Sequence, residues 1–210
     1  MACAPWLEDY ARFHARERGR PEAQHLVYTC RETMPVGPKG RLGHYPCLGV
    51  GDRFRLIAFM LRVAATFRRV LLVDWQSPVP LETFFSVASI DWRLTDVERE
   101  QLTQLPVQRW SSDLSEEPPH ERYLRIFGNA QWFGKISVDG FNGSATLEPS
   151  YGCMWRLLFR PSQELSSLIE ARRREMFGSA SAPYNALHIR MGDAAHGVAF
   201  DASTVPQVPG

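Results

Sequence analysis

No run in this sequence approaches the ~18 consecutive apolar residues that cross a bilayer. The N-terminal Met1-Ala-Cys-Ala-Pro-Trp-Leu-Glu-Asp9 lacks the apolar stretch of a signal peptide. An excess of one charge is also missing. The chain has 24 Lys and Arg against 23 Asp and Glu, a formal net charge of +1. That balance removes any bulk electrostatic argument for nucleic acid or an acidic membrane surface as a partner. The four cysteines, Cys3, Cys30, Cys47 and Cys153, form no C-x-x-C pair and no zinc spacing. Their even number permits disulfides without fixing the compartment. The six histidines include no i, i+4 pair, so no metal is expected. There are no internal repeats.

What is present is a core-forming chain. Its 210 residues are 44% hydrophobic, enough for one good core and somewhat short for two domains. Residues 1–24 are polar and suit a surface helix. His25–Cys30 reads as a short strand. Residues 31–47, rich in Pro and Gly, read as loop. Leu81–Ala88 reads as a helix after Pro78 and Pro80. Thr95-Asp-Val-Glu98 is a capping-box pattern that should open a helix reaching Leu105. Arg122–Phe127 and Trp132–Ser137 read as strands. Pro161–Phe177 reads as a helix with Leu165, Leu168, Ile169 and Met176 on its inner face. The cluster Arg172–Arg174 offsets its dipole, and Gly178 stops it. Residues 194–210 are small, polar and proline-containing. Asn142-Gly-Ser144 has the form of a glycosylation sequon.

Two segments carry chemistry. Gly49-Val-Gly-Asp-Arg53 is a glycine turn running into a helical stretch to Phe67, with two apolar stripes and therefore a buried position. Val70–Val73 follows as a central strand, and Asp74 ends the apolar run like a parallel strand covered on both faces. A glycine turn, a buried helix and a buried strand make half of a Rossmann-type unit, whose ligands sit at strand carboxyl ends near helix N-termini. The second segment, Ala186-Leu-His-Ile-Arg-Met-Gly-Asp193, reads as a strand. It delivers Arg190 toward an anion, with Gly192 allowing close backbone approach. Each has a plain structural counterpart: a helix N-terminus with Asp52 near the dipole, and a buried strand ending in a surface Arg–Asp pair. The alternation of strands and helices says α/β with a mainly parallel sheet.

Together these segments resemble the GDP-fucose-dependent fucosyltransferases, the group that holds the α-1,2, α-1,6 and protein O-fucosyltransferases. Gly49-Val-Gly-Asp-Arg53 resembles that group's Gly-x-Gly-[Asp/Asn]-Arg loop. His188-Ile-Arg-Met-Gly-Asp193 resembles its His-x-Arg-x-Gly-Asp motif. Val70–Trp75 resembles its Leu-Ile-Asp-Trp strand, and Phe159-Arg-Pro-Ser162 its Phe-[Lys/Arg]-Pro-Ser segment. The resemblance spans residues 48–193.

The resemblance implies a glycosyltransferase-B arrangement whose first domain is Rossmann-like. It implies transfer of fucose from GDP-fucose to a glycan or protein hydroxyl with inversion and without a metal. Arg190 would hold the β-phosphate of the leaving group as catalytic residue. His188, Gly192, Asp193, Gly49, Gly51, Asp52 and Arg53 would contribute to substrate binding. It also implies the Golgi or secretory pathway, although the membrane anchor usual in that group is not visible. The general base is not visible either, since His196 and Asp201 match no pattern. The expected domains are a polar segment, 1–24, a Rossmann-like domain, 25–184, and the start of a donor-binding domain, 185–210. Because so little chain follows Asp193, most of that second domain is expected to be absent and transfer impaired. Two other readings stand beside this one. One is an inactive fold acting as a binding protein. The other is a dinucleotide-dependent oxidoreductase, since Gly49-Val-Gly51 followed by Asp74 imitates the Rossmann fingerprint, with Phe54 in place of its third glycine.

Overall fold

A computed structural model describes residues 3–31, 33–36, 41–44, 49–104, 121–127, 137–138, 141–142 and 151–184. In chain order the elements are α1 (Pro5–Glu17), β1 (His25–Cys30), β2 (Thr33–Val36), β3 (Arg41–His44), α2 (Val50–Thr66), β4 (Val70–Trp75), β5 (Phe85–Val87), α3 (Asp96–Gln104), β6 (Tyr123–Phe127), β7 (Ser137–Val138), β8 (Phe141–Asn142), α4 (Tyr151–Leu158), β9 (Phe159–Pro161) and α5 (Gln163–Phe177). The class is mixed α/β. Its centre is a parallel three-stranded sheet in the order β4-β1-β6.

The apolar strands dictate this sheet. Every residue of β1 and β4 is buried, as expected for parallel strands covered on both faces. Alternation sorts their side chains into two cores. Leu26, Tyr28, Cys30, Leu71, Val73 and Trp75 join α1, α2 and α4 on one face, while Val27, Val70 and Leu72 join Leu94 and Leu102 on the other. Among the described residues β1 is the middle strand and β4 an outer one, where the sequence suggests a central β4. β4 is nonetheless fully buried, because other groups cover its outer edge. Tyr10 Oη donates to Arg69 O at 2.9 Å and accepts from Leu71 N at 2.9 Å. His14 Nε2 lies 3.2 Å from Leu71 O, and Val73 N donates to Trp92 O at 2.7 Å. Two side chains of α1 thus satisfy backbone groups on the outer edge of β4.

α2 starts earlier than the apolar periodicity suggests, at Val50 after an extended Gly49. No glycine or proline interrupts it from Arg53 on. It is buried on most sides, through Leu56, Ile57, Ala58, Phe59, Met60, Leu61, Val63 and Ala64. Full burial of a side chain such as Phe59 contributes about 1.5–3 kcal/mol. The helix ends where Arg68 takes a left-handed φ of 53°. Arg69 N then reaches back to Ala64 O at 2.9 Å, and the chain enters β4.

Several local expectations change. Residues 31–47 contain the antiparallel pair β2–β3, where proline and glycine counts suggest loop throughout. Leu81–Ala88 is one 3-10 turn over Leu81–Thr83 followed by β5, which pairs with β9. Its aromatic and β-branched residues outweigh the proline-led start. The stretch after Phe159 is a strand before it is a helix. On α5, no residue is buried: Leu168 is 56%, Ile169 44% and Met176 64% exposed. Amphipathic spacing identifies an apolar stripe, but not what covers it. Gly178, at φ +72°, ends α5 as expected.

The chain divides into two compact units, residues 1–168 and 169–210. The polar N-terminal segment is part of the first unit, with Leu7, Tyr10, Phe13 and His14 of α1 buried. Cys3 and Cys153 form a disulfide, and Cys30 is disulfide-bonded as well. No helix among the described residues is long and apolar enough to cross a membrane.

Candidate functional site

The carboxyl edge of the parallel sheet holds a cluster of charged groups around Asp74. Asp74 ends the apolar run of β4 and is opposite Thr29 in the register with β1. Its side chain is fully buried, and two guanidiniums reach it from different elements. Arg31, immediately after β1, donates through Nε to Oδ2 at 2.6 Å. Arg99, on α3, donates through Nη1 to Oδ1 at 3.2 Å and through Nη2 to Glu82 Oε1 at 2.8 Å. A buried carboxylate demands such partners, because an unpaired charge there is strongly disfavoured. Arg125 on β6 lies beside Arg31 and Asp74 and donates to Leu102 O at 3.1 Å. Burial, and then the charge of Arg31, pull the Arg125 pKa below the usual guanidinium value, partly offset by Asp74.

Arg31, Gln76, Arg99, Glu100 and Thr103 line an open groove of about 450 Å³ over this cluster. The capping box fixes α3 beneath it. Glu98 N donates to Thr95 Oγ1 at 3.2 Å, and Thr95 N donates to Glu98 Oε2 at 2.8 Å. Arg18 clamps the same carboxylate, with Nη2 at 2.8 Å from Oε2. Burial alone would raise the Glu98 pKa, but the Arg18 and Thr95 hydrogen bonds outweigh it and hold the carboxyl below its ordinary value.

The glycine turn stands at the start of α2. Gly49 has φ −62° and ψ 140°, and Gly51 has no atom within 4 Å of where a Cβ would stand. Neither position requires left-handed backbone, and both are exposed, so the turn is open on its outer side. Asp52 lies in the first helical turn, 3.7 Å from Arg55, where its charge favours the helix dipole. Arg53 points inward. It is 7% exposed, lies 4.7 Å over the Trp75 ring, and donates through Nη1 to Ser77 O at 2.7 Å. Burial lowers its pKa from the ordinary guanidinium value, with Tyr28 opposing. Arg53 therefore fastens the glycine turn to the carboxyl end of β4. Phe54 packs against Trp75, Phe85, Trp155 and Phe159 at ring separations of 4.6–5.7 Å.

Of the residues singled out in the sequence, Gly49, Gly51, Asp52 and Arg53 share one helix start beside the end of β4. His188, Arg190, Gly192 and Asp193 lie outside the described residues, as do His196 and Asp201. In the sequence Asp74 stands out as a strand end and as the acid of a Rossmann-like fingerprint, whereas Arg31, Gln76, Glu82 and Arg99 belong to no motif. The available signal was topological: Arg31 directly follows a buried parallel strand, and such positions face the ligand edge of α/β sheets. No protein-family model matches the chain, and no curated protein is significantly similar to it.

Proposed function

We propose that this chain is a fucosyltransferase-like protein that uses GDP-fucose as donor and a glycan or protein hydroxyl as acceptor. The observation that supports this reading most directly is the order glycine turn, buried helix, buried parallel strand, with the turn fastened by Arg53 to the carboxyl end of β4. This is the local architecture expected of the Gly49–Arg53 and Val70–Trp75 resemblances, and it lies at the edge where α/β sheets bind nucleotides and sugars. The disulfides suit an oxidising compartment such as the secretory route.

In this reading Arg190 opposes the charge that develops on the departing GDP. A positioned guanidinium contributes a few kcal/mol in such a transition state. Arg53, through Ser77 and Trp75, holds the glycine turn in place at this edge. The dinucleotide reading loses its acid: Asp74, which would accept the ribose hydroxyls, is buried and bonded to two arginines. The β2–β3 pair also stands between β1 and the glycine turn, where the dinucleotide fingerprint needs a direct connection.

Calorimetry with GDP, GMP and NAD tests the proposal. GDP should bind in preference to NAD. Arg190→Ala should weaken GDP about tenfold or more while leaving GMP unchanged, because only GDP carries the β-phosphate. Binding of NAD with no response to GDP would reverse the ranking of the two nucleotide readings.

A further inference from the structure

The groove at the end of β1 and β4 combines three features that point to one kind of ligand. The first is its charge balance. Arg31, Arg99 and Arg125 stand against Asp74, Glu82 and Glu100, so three positive groups meet three negative ones. Asp74 and Glu82 already occupy the donors that Arg99 directs at them. A phosphate or other anion would meet no net attraction here, whereas a neutral ligand meets no penalty. The second is the supply of hydrogen-bonding atoms. The Gln76 Nε2 is buried yet has no hydrogen-bond partner among the described residues, and Glu82 Oε2 is in the same condition. Glu100, exposed on α3, has no ion pair among the described residues. The third is shape: about 450 Å³ lies within the ~300–1,000 Å³ of small-molecule sites. An amide donor, a carboxylate acceptor and fixed guanidiniums around an open groove suit vicinal hydroxyl groups, each of which both donates and accepts.

We propose that this groove is a binding subsite for a neutral sugar unit, held by Gln76 and Glu100 over the Asp74–Arg31–Arg99 platform. Gln76 lines the groove with its amide nitrogen buried in the wall; on binding, that side chain turns outward and donates to a ring hydroxyl, while Glu100 accepts from one or two neighbouring hydroxyls. Arg31 and Arg99 stay on Asp74 and set the floor. Identification of that sugar as the acceptor rests on the transferase reading; the binding itself does not.

The test uses the full chain and contains no donor. Methyl glycosides of galactose, mannose, fucose and N-acetylglucosamine are titrated by saturation-transfer NMR to concentrations on the order of 10 mM, suited to a site making a few hydrogen bonds. Inorganic phosphate and GMP serve as anionic probes in competition. At least one neutral glycoside should bind saturably. Gln76→Ala and Glu100→Gln should each weaken it about fivefold or more, with an unchanged far-UV circular dichroism spectrum, and phosphate should not compete. Absence of saturable glycoside binding, binding indifferent to both substitutions, or displacement by phosphate would overturn the proposal. Because GDP plays no part, failure here leaves the donor reading standing, and failure of GDP binding leaves the groove standing.

Discussion

Tyr10 shows how one hydroxyl can finish a sheet. It both donates to Arg69 O and accepts from Leu71 N on the outer edge of β4. Tyr10→Phe keeps the ring and removes both bonds to the buried backbone. The expected cost is about 2 kcal/mol or more, read as a lower urea midpoint with an unchanged slope. Two buried histidines add a pH dependence. Burial pushes the pKa of His14 and of His25 down from 6.5 to about 4. The folded protein holds both neutral while the unfolded chain takes up protons as pH falls through 6.5. Their contribution is therefore fully present above pH 6.5 and is lost progressively between 6.5 and 4, at most about 3 kcal/mol for each. His25→Phe retains the 4.7 Å stack on Tyr123 and should flatten that decline, measured as urea midpoints at pH 5 and pH 7. An unchanged slope would contradict the burial of His25 as its source.

At the scale of elements, α3 offers the cleanest test, because its start was legible in four residues. Thr95 and Glu98 satisfy each other's backbone N–H groups. Thr95→Ala should cost about 1 kcal/mol, seen as a reduced thermal midpoint, and Thr95→Ser should restore most of it. The elements legible in the sequence share a property: local pattern and tertiary role agree. β1, α2, β4 and β6 are apolar in the period of their own structure, so burial could be read directly. The misread elements are those that depend on a distant partner. β5 exists because β9 pairs with it, from residues far along the chain. The β2–β3 pair overrides a local wealth of proline and glycine. The exposed stripe of α5 has a period but no stated cover. The candidate site divides in the same way. The glycine turn is contiguous and visible. The Asp74 cluster is assembled from four separate segments, with Arg99 on α3, Glu82 in a 3-10 turn and Arg31 after β1.

The whole first unit is closed by the Cys3–Cys153 disulfide, whose ends are 150 residues apart. In the chain-entropy picture a loop of that length stabilises the fold by about 5 kcal/mol, chiefly by restricting the unfolded chain. Reduction, or Cys3→Ser with Cys153→Ser, should lower the thermal midpoint clearly and leave the far-UV circular dichroism at low temperature unchanged. A midpoint indifferent to reductant would mean that α1 and its Tyr10 and His14 contacts hold the N-terminus without covalent help. The bond also makes most of the unit a covalent ring. A protease that cuts one exposed peptide bond between Cys3 and Cys153 would open that ring without releasing a fragment. The nicked chain would keep its full mass on a non-reducing gel and separate into two bands only after thiol treatment, so damage would stay hidden until the molecule met a reducing environment.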